Sequence, residues 1–244
     1  FLVIVLENID SIHEFSRNTK SFLLDKIRFD FSDKVSLKLI SLKLMPGEIL
    51  NSIPECVDII SDCLFQSAMI NLSQIEENIK KLYAQINMPG WNFFTFFLTK
   101  ESLALSLTEM GFFSEALVCY DELEALHAER LYIEDNEFTD SVPSRSDISG
   151  SDIDSSNWKE LRELIYKNQI TLYSFQVYLF SKQMHLLLEI KDIEQILKRL
   201  KKFVFNLTVS IILDEEVKKQ WIFDIYRVVL IRVEPLISLT EPTN

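Results

Sequence analysis

The sequence predicts a mainly α chain: an irregular α-solenoid of antiparallel helix hairpins behind a small β-containing N-terminal portion. Three observations carry this. Apolar residues recur at helical spacing over most of the chain, only 4 glycines interrupt 244 residues, and strand-like alternation is confined to the first fifty or so positions. At 48% hydrophobic the chain has enough apolar material for one or two cores.

Taken in order, residues 1–6 (FLVIVL) read as a buried strand and Ile12 to Ile27 as a helix. Val35 to Leu44 reads as a strand alternating Val35, Leu37 and Leu39 against Ser36 and Lys38. These make up a β/α portion over 1–50. After Pro46-Gly47 a long helix is expected to open at Ser52, with Glu55 three residues on as in a capping box. Its stripe runs Val57, Ile60, Leu64, Ala68, Leu72, Ile75, Ile79 and Leu82, and it ends before Pro89-Gly90, because proline disfavours helical geometry in the preceding residue.

The most informative stretch is Trp91 to Leu126, WNFFTFFLTKESLALSLTEMGFFSEALVCYDELEAL. Phe93, Phe96, Phe97, Leu103, Leu107 and Met110 form one apolar stripe; Phe113, Ala116, Leu117, Tyr120, Leu123 and Leu126 form a second. Gly111 stands between them, where the first helix must end in a left-handed residue that glycine adopts at little cost. The two helices therefore fold back as a hairpin. The order Gly111, Phe113, Ala116, Tyr120 also matches the second half of a tetratricopeptide unit, so the hairpin is TPR-like. One such unit cannot bury its own faces, and further helices should stack on it. The pattern does not repeat at a fixed period, hence an irregular array over 51–131 that continues over 158–244.

Beyond, Ile170, Tyr173, Val177, Phe180, Met184 and Leu187 form an unbroken helix-packing seam, either an internal core stripe or a surface for a partner. Helices are expected over Asp192 to Asn206 and Asp214 to Val233, the latter stopped near Pro235.

The Trp91–Leu126 run, together with TLYSFQVYLFSKQMHLLL from Thr171 to Leu188, resembles the TRAPP II-specific large subunit, the family of trafficking protein particle complex subunit 10. The order of the two blocks, with a variable insert between them, resembles that family too. The resemblance implies a non-catalytic scaffold subunit, with no cofactor, of a vesicle-tethering complex that acts as a nucleotide exchange factor for Rab GTPases. Its implied partners are other TRAPP subunits and, through the assembly, a Rab GTPase; its implied location is cytoplasmic, peripheral to Golgi membranes. An alternative from the helical pattern alone is an unrelated TPR-like adaptor that binds peptide motifs in a concave groove.

The missing initiator Met and the start at FLVIVL suggest a fragment of a longer chain. That opening is too short to span a bilayer, and Lys100 with Glu101 interrupts the other apolar candidate. Cys56 and Cys63 lie seven positions apart on one predicted helix, about 10 Å at the standard rise, beyond disulfide reach. Reduced thiols and a cytosolic setting are expected.

Of the net charge of −12, half falls between Tyr132 and Asn157, where seven carboxylates accompany one arginine. This acidic, Ser-rich stretch over 132–157 has little apolar content to offset the entropy of ordering, and a solvated loop is expected. It is either a variable insert or a phosphorylation-controlled tail, with Ser151, beside Asp152 and Asp154, as the candidate site. The acidic balance argues against a nucleic-acid partner, whose affinity rests on Lys and Arg.

The sequence carries no GxGxxG, GxxxxGK[ST] or GxSxG motif. His13, His127 and His185 fall on three predicted helices without HxxxH or HExxH spacing, so no metal site is expected. His127, near the end of its helix, is positioned to meet the dipole there. Asp121, Glu122 and Glu124 cluster after Tyr120 and resemble an acid–base group, but on a helix they are expected to face water unless the fold buries them. Lys198, Arg199, Lys201 and Lys202 cluster around Leu200 and Phe203 as a basic amphipathic face, either a solvated surface or a contact for anionic lipid.

Overall fold

The structure, a computed structural model, describes residues 2–7, 25–26, 29, 38–43, 49–131, 157–210 and 215–238. The chain is mainly helical and divides into two compact units, Phe1–Ser73 and Gln74–Asn244. The expected helix over Ile12 to Ile27 lies outside the described residues except for Asp25 and Lys26, which are helical. The acidic stretch from Tyr132 to Ser156, Ser151 included, lies outside them altogether.

In the first unit, strands β1 (Leu2–Glu7) and β2 (Lys38–Lys43) pair in parallel, in register from Leu2 opposite Lys38 to Glu7 opposite Lys43. Helix α1 (Ile49–Ala84) then runs for 36 residues, about 54 Å. It begins three residues before Ser52, so Ser52 and Glu55 lie within its first turns and do not cap it; Pro54 is inside as well. The expected buried stripe of α1 holds only in part. Ile79 and Leu82 pack on the core of the second unit, whereas Val57 and Leu64, on the same predicted stripe, are exposed. Helical period reveals that a face is apolar; it carries no information on whether anything lies opposite.

The second unit is built on α2 (Phe93–Glu109), α3 (Phe113–Leu131), α4 (Trp158–Tyr166), α5 (Leu172–Ile190), α6 (Ile193–Ser210) and α7 (Glu215–Ser238). Asn92 opens α2 by accepting a hydrogen bond from the Thr95 N–H at 2.8 Å. The helix closes at Gly111, whose φ of +82° is left-handed. There the Gly111 N–H donates to the Thr108 carbonyl (3.0 Å) and the Phe112 N–H to the Leu107 carbonyl (2.9 Å), the paired bonds of a Schellman turn. The same turn ends α4 at Asn168 and α5 at Lys191, both with positive φ. At Lys191 a side chain occupies a conformation that glycine fills more cheaply.

The α2–α3 hairpin buries Phe93, Phe96, Phe97, Ala116, Tyr120, Leu123 and Leu126 as expected, with Leu103, Leu107, Phe113 and Leu117 packed at the margin. Met110, expected in the stripe, is exposed where the helix ends. Helix α5 lies at the centre. Of its expected seam, Tyr173, Val177, Phe180, Met184 and Leu187 pack against α6 and α7 in one core, so that part is internal, whereas Ile170, ahead of the helix, is buried in the core of the α2–α3 hairpin. The opposite face of α5, Phe175, Tyr178, Leu179 and Leu186, packs against the α2–α3 hairpin in that second core. A helix apolar on both sides belongs in the interior.

Helix α7 passes through Pro235 to Ser238 and does not stop there. Pro235 and Ile231, whose carbonyl loses its partner to the imide, are both exposed, so water and not apolar core lies beside that carbonyl. The short helix α4 has no counterpart in the sequence reading. It is amphipathic over only 9 residues and buries one apolar side chain completely, Ile165.

Candidate interaction site

Two polar assemblies join the helices of the second unit. The first centres on Glu101. It lies on the buried side of α2, four residues after Phe97 and three before Ala104, and is fully removed from solvent. Three other helices supply its donors. Arg162 of α4 donates Nε–H to Oε2 at 2.8 Å, and the Tyr178 hydroxyl of α5 donates to Oε1. The Tyr120 hydroxyl of α3 lies farther from Oε1, at 3.4 Å. Burial, then the charge of Glu101, pushes both phenols well above their ordinary range, so they remain protonated donors. A carboxylate sealed in this way has no access to a substrate, and its effect is to lock α2, α3, α4 and α5 together.

Beside it, Trp158 at the start of α4 donates Nε1–H to the Ser181 hydroxyl (2.8 Å), which in turn donates to the Tyr178 carbonyl (2.8 Å). The buried Lys182 amine sits 3.8 Å from the centre of the Trp158 ring, and burial lowers its pKa. His185 meets Trp158 edge-on at 5.3 Å and is likewise lowered by burial.

The second assembly corrects the expectation that Asp121, Glu122 and Glu124 all face water. Arg199 of α6 grips Asp121 of α3 through two bonds of 2.5 and 2.7 Å. Lys202 donates to Glu124 at 2.7 Å, while Gln183 of α5 reaches Glu124 at 2.8 Å and Asp121 at 3.1 Å. Burial pushes the Glu124 carboxyl up, but the bonds from Gln183 and Lys202 outweigh it and hold the group below its ordinary value. Only Glu122 stays largely exposed, and it pairs with Lys100.

The basic cluster of Lys198, Arg199, Lys201 and Lys202 is thereby divided: Arg199 and Lys202 are engaged with α3, and Lys198 and Lys201 face solvent. Around this clamp α3, α5 and α6 line a cleft of about 520 Å³ that includes Gln176, Gln183, Lys198 and Asn206. A larger groove of about 700 Å³ runs from Ile75 along α2 to α4, with Phe94 and Leu98 on its apolar side and Thr95, Thr99, Lys159 and the exposed Tyr166 on its polar side.

His127 is not charged at the end of its helix as the sequence suggested. It is buried between Phe175 and Phe93, with ring centroids at 4.8 and 5.8 Å, and burial lowers its pKa to about 4. A neutral imidazole has no net charge to offer the helix dipole. His127 and His185 stand on separate helices, and His13 lies outside the described residues. Among the described residues no group of His, Cys, Asp and Glu is placed to hold a metal ion, and no helix is long and apolar enough to cross a membrane. Cys56, Cys63 and Cys119 are free thiols.

The Glu101 network was missed from sequence, although its signal is present: a carboxylate on the same face as Phe93 and Phe97 in an otherwise apolar stripe. The Asp121–Arg199 pair, 78 residues apart, has no such local signal.

No family model matches the sequence, and no solved structure matches it. Curated proteins do. The chain is 30% identical over 220 residues to trafficking protein particle complex subunit 10 of Drosophila melanogaster, covering 84% of this chain and 19% of that protein. It is 37% identical over 127 residues to the protein of the same name from Dictyostelium discoideum, covering 51% of this chain and 9% of that one. It is also 27% identical over 226 residues to the trafficking protein particle complex II-specific subunit 130 homolog of Arabidopsis thaliana, covering 89% and 17%. The chain thus spans less than a fifth of the length of these relatives. The likeness read from the two sequence blocks extends over most of the chain, which resembles the TRAPP II-specific large subunit, the family of trafficking protein particle complex subunit 10.

Proposed function

We propose that this chain is a helical part of a non-catalytic scaffold subunit in a TRAPP II-type assembly, one that tethers Golgi-directed vesicles and promotes nucleotide exchange on a Rab GTPase. The observation that carries the reading is the similarity to subunit 10 proteins over 84% of the chain in the Drosophila comparison. The helical architecture supports it: α2 and α3 form an antiparallel hairpin, α5 to α7 pack successively onto it, and the buried carboxylate serves to fasten helices. In this reading the helices form a TPR-like, irregular solenoid, and other TRAPP subunits lie against its sides. Exchange on the Rab is a property of the assembled complex.

The chain works in the cytoplasm, at the periphery of Golgi membranes. Any lipid contact of the basic face falls mainly to Lys198 and Lys201, since Arg199 and Lys202 are paired with α3. Ser151, in the acidic stretch, is the position at which a phosphate adds to an existing negative field.

Affinity purification of the tagged chain from cells, read by mass spectrometry, tests the proposal. Recovery of other trafficking protein particle subunits is expected. Their absence, with a known subunit recovering them in parallel, overturns it. Measurable nucleotide exchange by the purified chain alone contradicts the scaffold role. The 520 Å³ cleft between α3 and α6 favours a second reading, an adaptor for peptide motifs; recovery of short linear motif proteins in place of trafficking subunits selects that one.

A further inference from the structure

The first-unit part of α1 carries a set of exposed apolar side chains. Ile53, Val57 and Leu64 are 46%, 53% and 66% exposed, and Phe65 is 67% exposed. Met69 and Ile70 are exposed as well. Ile53, Val57, Ile60 and Leu64 follow one another at steps of four, three and four, which places them in one line along the helix. Asp58, Asp62, Phe65 and Met69 follow the same steps and form a neighbouring line in which two exposed carboxylates precede two exposed apolar side chains. Isolated exposed apolar residues are ordinary; a contiguous set along a single helix marks a contact face.

Charge decides what can cover it. Between Ile49 and Ser73 there are three carboxylates, Glu55, Asp58 and Asp62, and no lysine or arginine. We propose that α1 between Ile53 and Ile70 is a docking surface for a helix of another protein chain, one whose apolar stripe is edged with lysine or arginine. The partner's apolar side chains fill the line from Ile53 to Leu64, and its cations meet Asp58 and Asp62 beside Phe65. A second copy offering its own α1 is a poor occupant, because it returns the same carboxylates to a helix segment with no lysine or arginine between Ile49 and Ser73. An anionic membrane surface is disfavoured for the same reason. The inference stands on α1 alone and not on the trafficking reading, so its failure leaves that reading intact.

The test uses the full 244-residue chain and two synthetic helices of about 20 residues, long enough to span Ile53 to Ile70. Both carry leucines at helical spacing; one is edged with lysine and the other with glutamate. Fluorescence anisotropy at low salt is expected to show the lysine-edged helix binding about tenfold tighter or better. Asp58→Asn with Asp62→Asn should erase the preference, and Val57→Gln with Leu64→Gln should weaken the lysine-edged helix. Circular dichroism checks that the variants stay folded; should the glutamine pair unfold, the asparagine pair still reads the charge requirement. Equal binding of the two helices overturns the proposal. So does concentration-dependent dimerisation abolished by Leu64→Gln, or binding to phosphatidylserine vesicles that the same change removes.

Discussion

Glu101 and Arg162 meet at 2.8 Å across 61 residues of sequence, the carboxylate fully buried and the guanidinium at the rim of the groove lined by Phe94, Thr99 and Tyr166. This pair fastens α4, the first helix after the acidic stretch, to the hairpin. Ile165 enters the core and Leu161 packs against it, while Trp158 ties the same helix to Ser181 and Lys182 of α5.

Removing Arg162 therefore strands a buried charge on the two tyrosines. Arg162→Ala is expected to cost about 2–3 kcal/mol, since truncating one partner of a buried pair leaves the other desolvated and uncompensated. Glu101→Gln keeps the shape and several hydrogen bonds and should cost less. Urea unfolding of both single variants and of the double variant measures the coupling. Additive effects would show that the pair is not a unit.

Burial of His127 makes stability depend on pH in a defined direction. Its pKa of about 4 in the folded chain lies below the ordinary 6.5, so the unfolded chain binds the proton more readily. The contribution is fully present above pH 6.5 and is lost as pH falls toward 4. It amounts to about 3 kcal/mol at most. Thermal unfolding at pH 7.5 and 5 should show a drop that His127→Gln reduces, with any residual slope assigned to groups such as His185, which shifts in the same direction.

The clamp between α3 and α6 is partly exposed, so its worth is modest and salt-sensitive. Asp121→Asn should cost about 1–2 kcal/mol at low salt, more than Lys202→Ala, because the Arg199 pair is bidentate and less exposed than the Lys202 pair. In 1 M NaCl both penalties should shrink; an unchanged penalty for Asp121→Asn would show that packing, not charge, dominates.

Turn chemistry gives a pair of opposite effects. Gly111→Ala places a Cβ at φ +82° and should destabilise by about 1 kcal/mol, although nothing lies within 4 Å of that Cβ. Lys191→Gly relieves a left-handed lysine at φ 64° and should stabilise by about 0.5–1 kcal/mol. Thermal midpoints moving in these two directions would confirm that backbone conformation sets both effects.

The sequence by itself determined the helical segments other than α4, the left-handed closure at Gly111, one apolar seam along α5 and the likeness to subunit 10 proteins. These are local quantities. A period of three to four or a glycine between two stripes is written in neighbouring residues. Only the tertiary structure decided which charges are buried and which apolar faces are covered. Glu101 reads as an ordinary helical carboxylate until Arg162 and Tyr178 arrive from distant helices, and Asp121 and Glu124 read as solvated until α6 brings Arg199 and Lys202 beside them. Val57 and Leu82 belong to one predicted stripe, yet one is exposed and the other packs on a core. Burial is a property of two surfaces, and a helix's own residues specify only one of them.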